Sequence, residues 1–209
     1  MEEFEVEVAP LAPEEAEPAV RVLARAFRDN PLNLAVIGSD ASRRERVNAA
    51  GLRPQLPGAL EAGCALAARR SGGSEPGGPI GVLLGTRPLS RPASLPAWPA
   101  QLRAVFGQGW RVARRWSEVH DLLAPHRPAP PHWYLALLGV DPCCQRAGVG
   151  AALLAAFLRE VDSDGRSAWL ETDRAENVPF YQRAGFRTVG ELTICSVPVW
   201  LMHRSGTER

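Results

Sequence analysis

The chain of 209 residues contains no lysine, because all 24 of its Lys and Arg positions are arginine. A mechanism that forms a Schiff base on a lysine amine is therefore excluded. A strong charge of either sign is also missing, since the formal net charge is +1. The composition gives no electrostatic reason to expect nucleic acid or an anionic membrane as a partner.

Cysteines are few and apolar runs are short. Of the four cysteines, Cys143 and Cys144 are adjacent, and no histidine lies at ligand spacing from them. We therefore expect neither a disulfide framework nor a metal site. The longest apolar run, residues 151–158, is too short to span a bilayer. The first residues are acidic and lack the pattern of a secretory signal, so we expect a cytoplasmic protein without a membrane partner.

Hydrophobic periodicity predicts alternating strands and helices along one domain, 1–209. The strands are predicted over 4–9, 63–69, 79–87, 132–141, 167–172, 186–194 and 197–204, and the helices over 13–28, 40–57, 101–123, 146–161 and 177–184. A hairpin loop is predicted at 71–78, and proline-rich stretches flank a helical insert over about 88–131. This order favours an α/β sandwich around a mixed sheet.

A glycine-bearing turn follows the predicted strand 132–141 and opens the predicted helix 146–161. Such a turn offers free backbone N–H groups and the positive end of a helix dipole, which suits a phosphate. The candidate anion-binding residues are Gln145, Arg146, Ala147, Gly148, Val149, Gly150 and Ala151. The alternatives are an ordinary tight turn and, for Arg146, a solvated side chain.

Asn177 and Tyr181 lie four residues apart, so they share one face of the helix that Pro179 begins. A tyrosine hydroxyl is a candidate proton donor to a departing thiolate. The alternative for Tyr181 is a core aromatic whose hydroxyl is hydrogen-bonded.

Two further positions carry candidate chemistry. Gly139 interrupts a buried strand, which indicates a bulge, a close backbone approach or simple packing. A bulge there would free neighbouring backbone groups for an extended ligand. Glu171 ends another apolar strand, where a carboxylate is either a general base, directly or through water, or a structural hydrogen-bond partner.

These residues together resemble the GNAT superfamily of acyl-CoA N-acyltransferases over about residues 132–194. The motifs that carry the resemblance are Leu138-Gly139-Val140-Asp141-Pro142, Gln145-x-x-Gly148-x-Gly150, Asn177-x-x-x-Tyr181 and Gly185-Phe186. A closer similarity, to puromycin N-acetyltransferase and its relatives, rests on segments 122–128, 133–136, 170–172 and 179–181 and on Trp200-x-Met202-x-Arg204. The turn of this superfamily commonly has a glycine where this chain has Arg146. An arginine is compatible with the turn only if the backbone dihedral angles of residue 146 are ordinary ones.

The resemblance implies a mixed, mostly antiparallel sheet of six or seven strands, splayed at strand four and flanked by helices on both faces. It implies that acetyl-CoA binds along Leu138, Gly139 and Val140, on the turn 145–151 and beside Asn177. A small-molecule primary amine would attack directly, with Glu171 as base and Tyr181 as acid. The acceptor would lie among residues 28–57 and 88–131.

Three other functions stay open at this point. In the first, the chain acetylates a protein or peptide amine. In the second, it is a non-catalytic module that senses acetyl-CoA. In the third, it is a nucleotide-binding protein of another fold. The last is disfavoured because the P-loop and Rossmann motifs are missing from the sequence. A thioester relay through Cys143 or Cys144 lacks a neighbouring base. A homodimer is suggested by Trp98, Trp110, Trp116 and Trp200, which include candidates for an exposed patch.

Overall fold

A sheet of seven strands forms the centre of the structure, a computed structural model that describes residues 5–61, 64–71, 77–88, 107–129 and 131–206. The strands are β1 (Val6–Pro10), β2 (Ala65–Arg70), β3 (Gly81–Thr86), β4 (Trp133–Val140), β5 (Ala168–Thr172), β6 (Arg187–Ile194) and β7 (Val197–Arg204). Their order is β1-β2-β3-β4-β5-β7-β6, and every neighbouring pair is antiparallel except β4 and β5. The predicted fold class is confirmed.

Helices cover both faces of this sheet. They are α1 (Ala16–Ala26), α2 (Pro31–Ile37), α3 (Ala41–Leu52), α4 (Leu56–Glu61), α5 (Trp110–Leu123), α6 (Val149–Asp164) and α7 (Asn177–Arg183). Strand residues alternate between the two faces. Leu83 of β3 therefore packs in one buried cluster with Phe157 of α6, whereas its neighbour Val82 packs in another with Leu23 of α1. None of the described helices is both long and apolar enough to cross a bilayer.

Most predicted elements occur within a few residues of their expected bounds, and α2 is the main omission. The predicted helix 40–57 is divided into α3 and α4 by a turn at residues 53–55. The predicted helix 101–123 is described from residue 107 onward, and it is interrupted at Gly109 (φ +83°), after which α5 begins. Its first residues, 101–106, lie outside the described part of the chain, as do 72–76 of the hairpin loop and the proline-rich stretch 89–99. Among the tryptophans, Trp110 is 61% exposed and Trp98 lies outside the described residues.

Buried Arg44 fixes the connection between α1 and α2. Its guanidinium donates to the carbonyl oxygens of Arg28 (2.6 Å) and Gly38 (2.9 Å) and to Oδ1 of Asp29 (2.8 Å). The side chain is 5% exposed, so these partners replace the water that the charge has lost. The connection held in this way forms part of the site below.

The sheet splays between β4 and β5. These strands pair only at Trp133 with Ala168 and at Tyr134 with Trp169, and beyond those pairs they diverge. Asp141 N–H donates to the Ile80 carbonyl (2.9 Å), which makes these two residues a hydrogen-bonded pair of the β3–β4 ladder. In an antiparallel ladder only every second residue of a strand bonds to the same neighbouring strand. By that alternation the backbone N–H and C=O groups of Leu138 and Val140 point away from β3 and into the splay.

Gly139 permits a close approach of α1 and does not form a bulge. It pairs with Val82 in regular register, whereas the ladder shifts between Leu84 and Gly85, opposite residues 135–137 of β4. A Cβ at position 139 would lie 2.8 Å from Leu23 Cδ2 and 3.0 Å from Ala26 Cβ. The bulge interpretation was therefore wrong at this residue, and the atoms that leave no room for a Cβ are side-chain atoms of α1, so the glycine is explained by packing.

Candidate active site

Two cavities meet at the splay and share Phe27 and Asn30 as wall residues. The first, the cofactor cleft, has a volume of about 450 Å³. It is lined by Ala26, Phe27, Asn30, Leu138, Gly139, Val140, Gln145, Arg146, Gly148, Gly150, Ala151, Arg174, Asn177, Phe180, Tyr181 and Arg183. The second, the acceptor cavity, has a volume of about 500 Å³ and is walled by α2, α3, α5, β4 and the end of β5.

The glycine turn forms one end of the cofactor cleft. Gly148 is the N-cap of α6 with φ +80°, and the first helical hydrogen bond runs from Ala152 N–H to its carbonyl (3.0 Å). The N–H groups of Val149, Gly150 and Ala151 precede that bond and carry the positive end of the helix dipole. A Cβ at Gly148 would meet nothing within 4 Å, so the space in front of the turn is open.

Arg146 does not keep ordinary dihedral angles. Its φ is +61°, in the left-handed region, which costs a non-glycine residue roughly 1–2 kcal/mol. The expectation for this residue was therefore wrong. Its exposed side chain nevertheless lines the cleft, where a guanidinium suits a phosphate.

The stem of the turn is attached to both β4 and α1. Gln145 donates from Nε2 to the Val140 carbonyl (3.2 Å). Asp141 accepts from Cys143 N–H (3.2 Å) and from the Arg25 guanidinium, whose Nε lies 3.1 Å away. Burial opposes ionisation of Asp141, yet these hydrogen bonds hold its pKa below the ordinary range. The turn is thus held rigidly at the end of β4.

Of the predicted turn residues, Ala147 and Val149 do not line the cleft with their side chains. Val149 is 1% exposed in the core, and Ala147 packs against the same cluster. Both contribute backbone to the turn.

Tyr181 faces the turn across the cofactor cleft. Its side chain is 7% exposed, and its ring packs edge-on against Phe186, with centroids 6.0 Å apart. Burial raises the pKa of Tyr181, and the charge of Asp173 raises it further, so the hydroxyl is protonated at neutral pH. Asn177 donates from Nδ2 to Thr172 Oγ1 (3.3 Å), which ties α7 to the end of β5.

Glu171 lies in the acceptor cavity and not in the cleft, with both oxygens engaged. Oε1 accepts from Arg127 Nε (3.1 Å) and Trp169 Nε1 (2.8 Å), and Oε2 accepts from the Tyr134 hydroxyl (2.7 Å). Arg127 also lies over the Tyr134 ring, 4.2 Å from its centroid. The charge of Glu171 is therefore paired with an arginine that belongs to the insert.

Asp173 and His120 also line the acceptor cavity, and the sequence interpretation missed both. Asp173 accepts from Leu32 N–H (2.9 Å) and Asn30 Nδ2 (3.2 Å), and burial raises its pKa. The pKa of His120 is lowered, first by desolvation and then by the charge of Arg127. A signal for Asp173 was its spacing of two from Glu171, which in an extended chain places both acids on one face.

Two arginines of the cleft were missed as well. Arg174 and Arg183 line the cofactor cleft beside α7, at the same opening as Arg146. Three guanidinium groups around one cleft favour a polyanionic ligand. Their signal in the sequence was weak, because isolated arginines are usually solvated.

Comparison with known proteins agrees with this geometry over part of the chain. Residues 126–196 match the family model of the acetyltransferase (GNAT) domain. A mycothiol acetyltransferase of Paenarthrobacter aurescens is 33% identical over 88 residues, which is 41% of this chain and 26% of that protein. The chain thus spans about a quarter of the length of this curated relative.

Solved structures show the same fold over nearly the whole chain. A protein described as histone acetyltransferase HPA2 and related acetyltransferase, from Corynebacterium glutamicum, has a TM-score of 0.74 and 23% identity, covering 99% of each chain. A chain of the NatC complex bound to Gag peptide and CoA has a TM-score of 0.56 and 15% identity, covering 98% of this chain and 100% of that one.

Proposed function

We propose that the protein is an acetyl-CoA-dependent N-acetyltransferase that acetylates a primary amine of a small molecule. The observation that carries the proposal is the cofactor cleft, in which the N-terminus of α6 and the buried Tyr181 face one another beside a second cavity. The matched domain, residues 126–196, contains both of these features and Glu171.

The chain offers contacts for the pyrophosphate, the pantetheine arm and the thioester of acetyl-CoA. The N–H groups of residues 149–151, with Arg146, suit its pyrophosphate. Leu138 and Val140 turn their backbone groups into the splay, where they would pair with the amides of the pantetheine arm. The Val140 N–H would then polarise the thioester carbonyl as an oxyanion hole does.

Tyr181 would protonate the departing thiolate. In water this transfer is slightly uphill, because a tyrosine has a pKa of about 10 and a thiol about 8.5. Desolvation raises the pKa of a thiol as well, as buried Cys64 shows with a pKa raised to about 11. A thiolate released inside the cleft is therefore a better proton acceptor than one in water, while the raised pKa of Tyr181 makes the tyrosine a weaker acid, so the two effects of desolvation oppose one another.

Glu171 would remove the proton from the amine, directly or through a water molecule. Oε2 accepts a single hydrogen bond from Tyr134, so it keeps a lone pair for this role. The amine nitrogen then attacks the thioester carbon and displaces the CoA sulfur without a covalent enzyme intermediate.

The finer similarity to puromycin N-acetyltransferases is also a proposal. It is supported by Tyr134 and Glu171, which both line the acceptor cavity.

The substitution Tyr181→Phe tests the proposal. It keeps the ring packing and removes the proton donor, so we expect kcat to fall about 100-fold or more, with an unchanged Kd for acetyl-CoA. Acetylated product from a panel of amines is measured by mass spectrometry, because the four cysteines of the chain interfere with thiol dyes. An unchanged kcat would remove Tyr181 as the acid. Binding of acetyl-CoA without product from any amine would favour a sensing module.

A further inference from the structure

We propose that the acceptor is a hydrophobic amine without a carboxylate, which enters as an ammonium ion and is received by Asp173. The inference rests on the proposed function and names the substrate class of its acceptor cavity. It draws on the position of Asp173, the charges of the cavity wall and the apolar body of the cavity.

Asp173 is a half-buried carboxylate that accepts hydrogen bonds from neutral donors. Asn30 and the Leu32 backbone supply these bonds, at 3.2 and 2.9 Å. Its neighbour in the chain, Arg174, donates to Asn30 Oδ1 (3.4 Å) and lies 3.9 Å from Glu176, and its charge lowers the pKa of Asp173 against the larger effect of burial. A partly desolvated carboxylate with such neighbours gains stability when a cation binds to it.

This carboxylate lies where the two cavities join. Asn30, which donates to Asp173, lines both the acceptor cavity and the cofactor cleft. The charge of Asp173 also acts on Tyr181, which lines the cleft. An ammonium held at Asp173 would therefore stand beside the position expected for the thioester, and it would give its extra proton to water before the neutral amine attacks.

The charges of the wall select against an anionic substrate. Among the described residues that line the acceptor cavity, Glu171 and Asp173 are acidic and arginine is absent, but the charge of Glu171 is paired with Arg127 behind it, so the negative charge of the wall is mainly that of Asp173. His120 adds little positive charge at neutral pH, because its pKa is lowered. An amino acid would place its carboxylate close to the charge of Asp173, which repels it, whereas a simple amine carries no such group.

The remainder of the wall is mostly apolar. Trp116, Val119 and Leu123 of α5 face Leu32 and Leu52 of the N-terminal helices across a space of about 500 Å³. Cavities of this size hold small organic ligands, and apolar walls favour apolar bodies. The amides of Asn33, Asn48, Gln55 and Gln108 also line this space, so an acceptor with a few polar groups beside its apolar body would find partners there.

Matched amines test the inference with the unmodified protein and acetyl-CoA. Phenylalanine differs from 2-phenylethylamine by an added carboxylate, and glucosamine is a polar amine. We expect kcat/KM for 2-phenylethylamine to be at least tenfold higher than kcat/KM for either of these two amines. A preference for phenylalanine or glucosamine would overturn the inference and leave the proposed function intact. If no amine is acetylated while acetyl-CoA binds, the proposed function itself fails.

The substitution Asp173→Asn tests the role of the carboxylate. We expect KM for 2-phenylethylamine to rise at least tenfold, with an unchanged Kd for acetyl-CoA. The neutral analogue 2-phenylethanol, used as an inhibitor, should keep its inhibition constant, because asparagine can still accept the hydrogen bond from Leu32. Equal weakening of amine and alcohol would show a structural role only and refute the assignment. Asp121→Asn, at an exposed site of α5, is the matched control. The comparison of amines decides the substrate class even if the Asp173 variant does not fold.

Discussion

A matched pair of substitutions at Gly148 separates the charge of the cleft from its shape. Asparagine and aspartate have nearly the same shape, and both tolerate the left-handed conformation that φ +80° requires. Because a Cβ at this position would meet nothing within 4 Å, we expect neither variant to clash with the protein. Any strain is common to both, so the difference between Gly148→Asn and Gly148→Asp reports the added charge.

The magnitude follows from Coulomb's law. An aspartate on the turn would lie about 6 Å from a pyrophosphate of about two negative charges, and an effective dielectric of about 40 gives a repulsion of about 3 kcal/mol. That free energy corresponds to roughly a 100-fold difference in Kd. Added salt should narrow the difference, since the cleft opens to solvent.

Calorimetric titration with acetyl-CoA measures both dissociation constants, and thermal unfolding checks that the two variants have equal stability. We expect the asparagine variant to bind within about tenfold of the unchanged protein, since it keeps the N–H groups of the turn. Equal Kd values for the asparagine and aspartate variants would refute the placement of the pyrophosphate on this turn.

Two further predictions concern stability and are checked by chemical unfolding. Gly139→Ala should lower the free energy of unfolding by about 2 kcal/mol, because its Cβ would lie 2.8 Å from Leu23 Cδ2. Gly150→Ala, whose Cβ would meet its neighbours at ordinary distances of 3.6 Å or more, should be neutral or gain up to about 1 kcal/mol. Arg44→Met should lower the free energy of unfolding by about 3 kcal/mol, because it leaves buried carbonyl groups unpaired. Arg46→Ala, at an exposed position, should change that free energy by less than about 0.5 kcal/mol. Equal losses within either pair would contradict the reasoning.

The parts of the fold that could be predicted are those with local causes. The turn at 145–150 follows a strand and opens a helix within a few residues, so periodicity and glycine placement locate it. Helix α2 has a different origin. The carboxylate that accepts a hydrogen bond from its first turn belongs to Asp173, 141 positions after Leu32. A short window around residues 31–37 does not contain this partner.

The same distinction applies to the site. Tyr181 and Asn177 were recognisable by their spacing on one helix, and both line the cofactor cleft. Two partners of Glu171 were not recognisable, because Arg127 reaches it only after the insert packs on the sheet and Tyr134 only through the pairing of β4 with β5. Likewise, the sequence around Gly139 does not show that α1 is the helix that packs over this residue.

The two-residue junction between β4 and β5 has a consequence for how the molecule holds together. It divides the sheet into a group of four strands and a group of three, joined by a ladder only at Trp133 and Tyr134. Elsewhere across this seam, cohesion depends on side chains that pack over it from the helices. An extended molecule with amide groups along its length would continue the interrupted ladder and connect the two groups. Binding of such a molecule would therefore raise both the stability and the cooperativity of unfolding, because the molecule would contribute to the sheet much as an additional strand does.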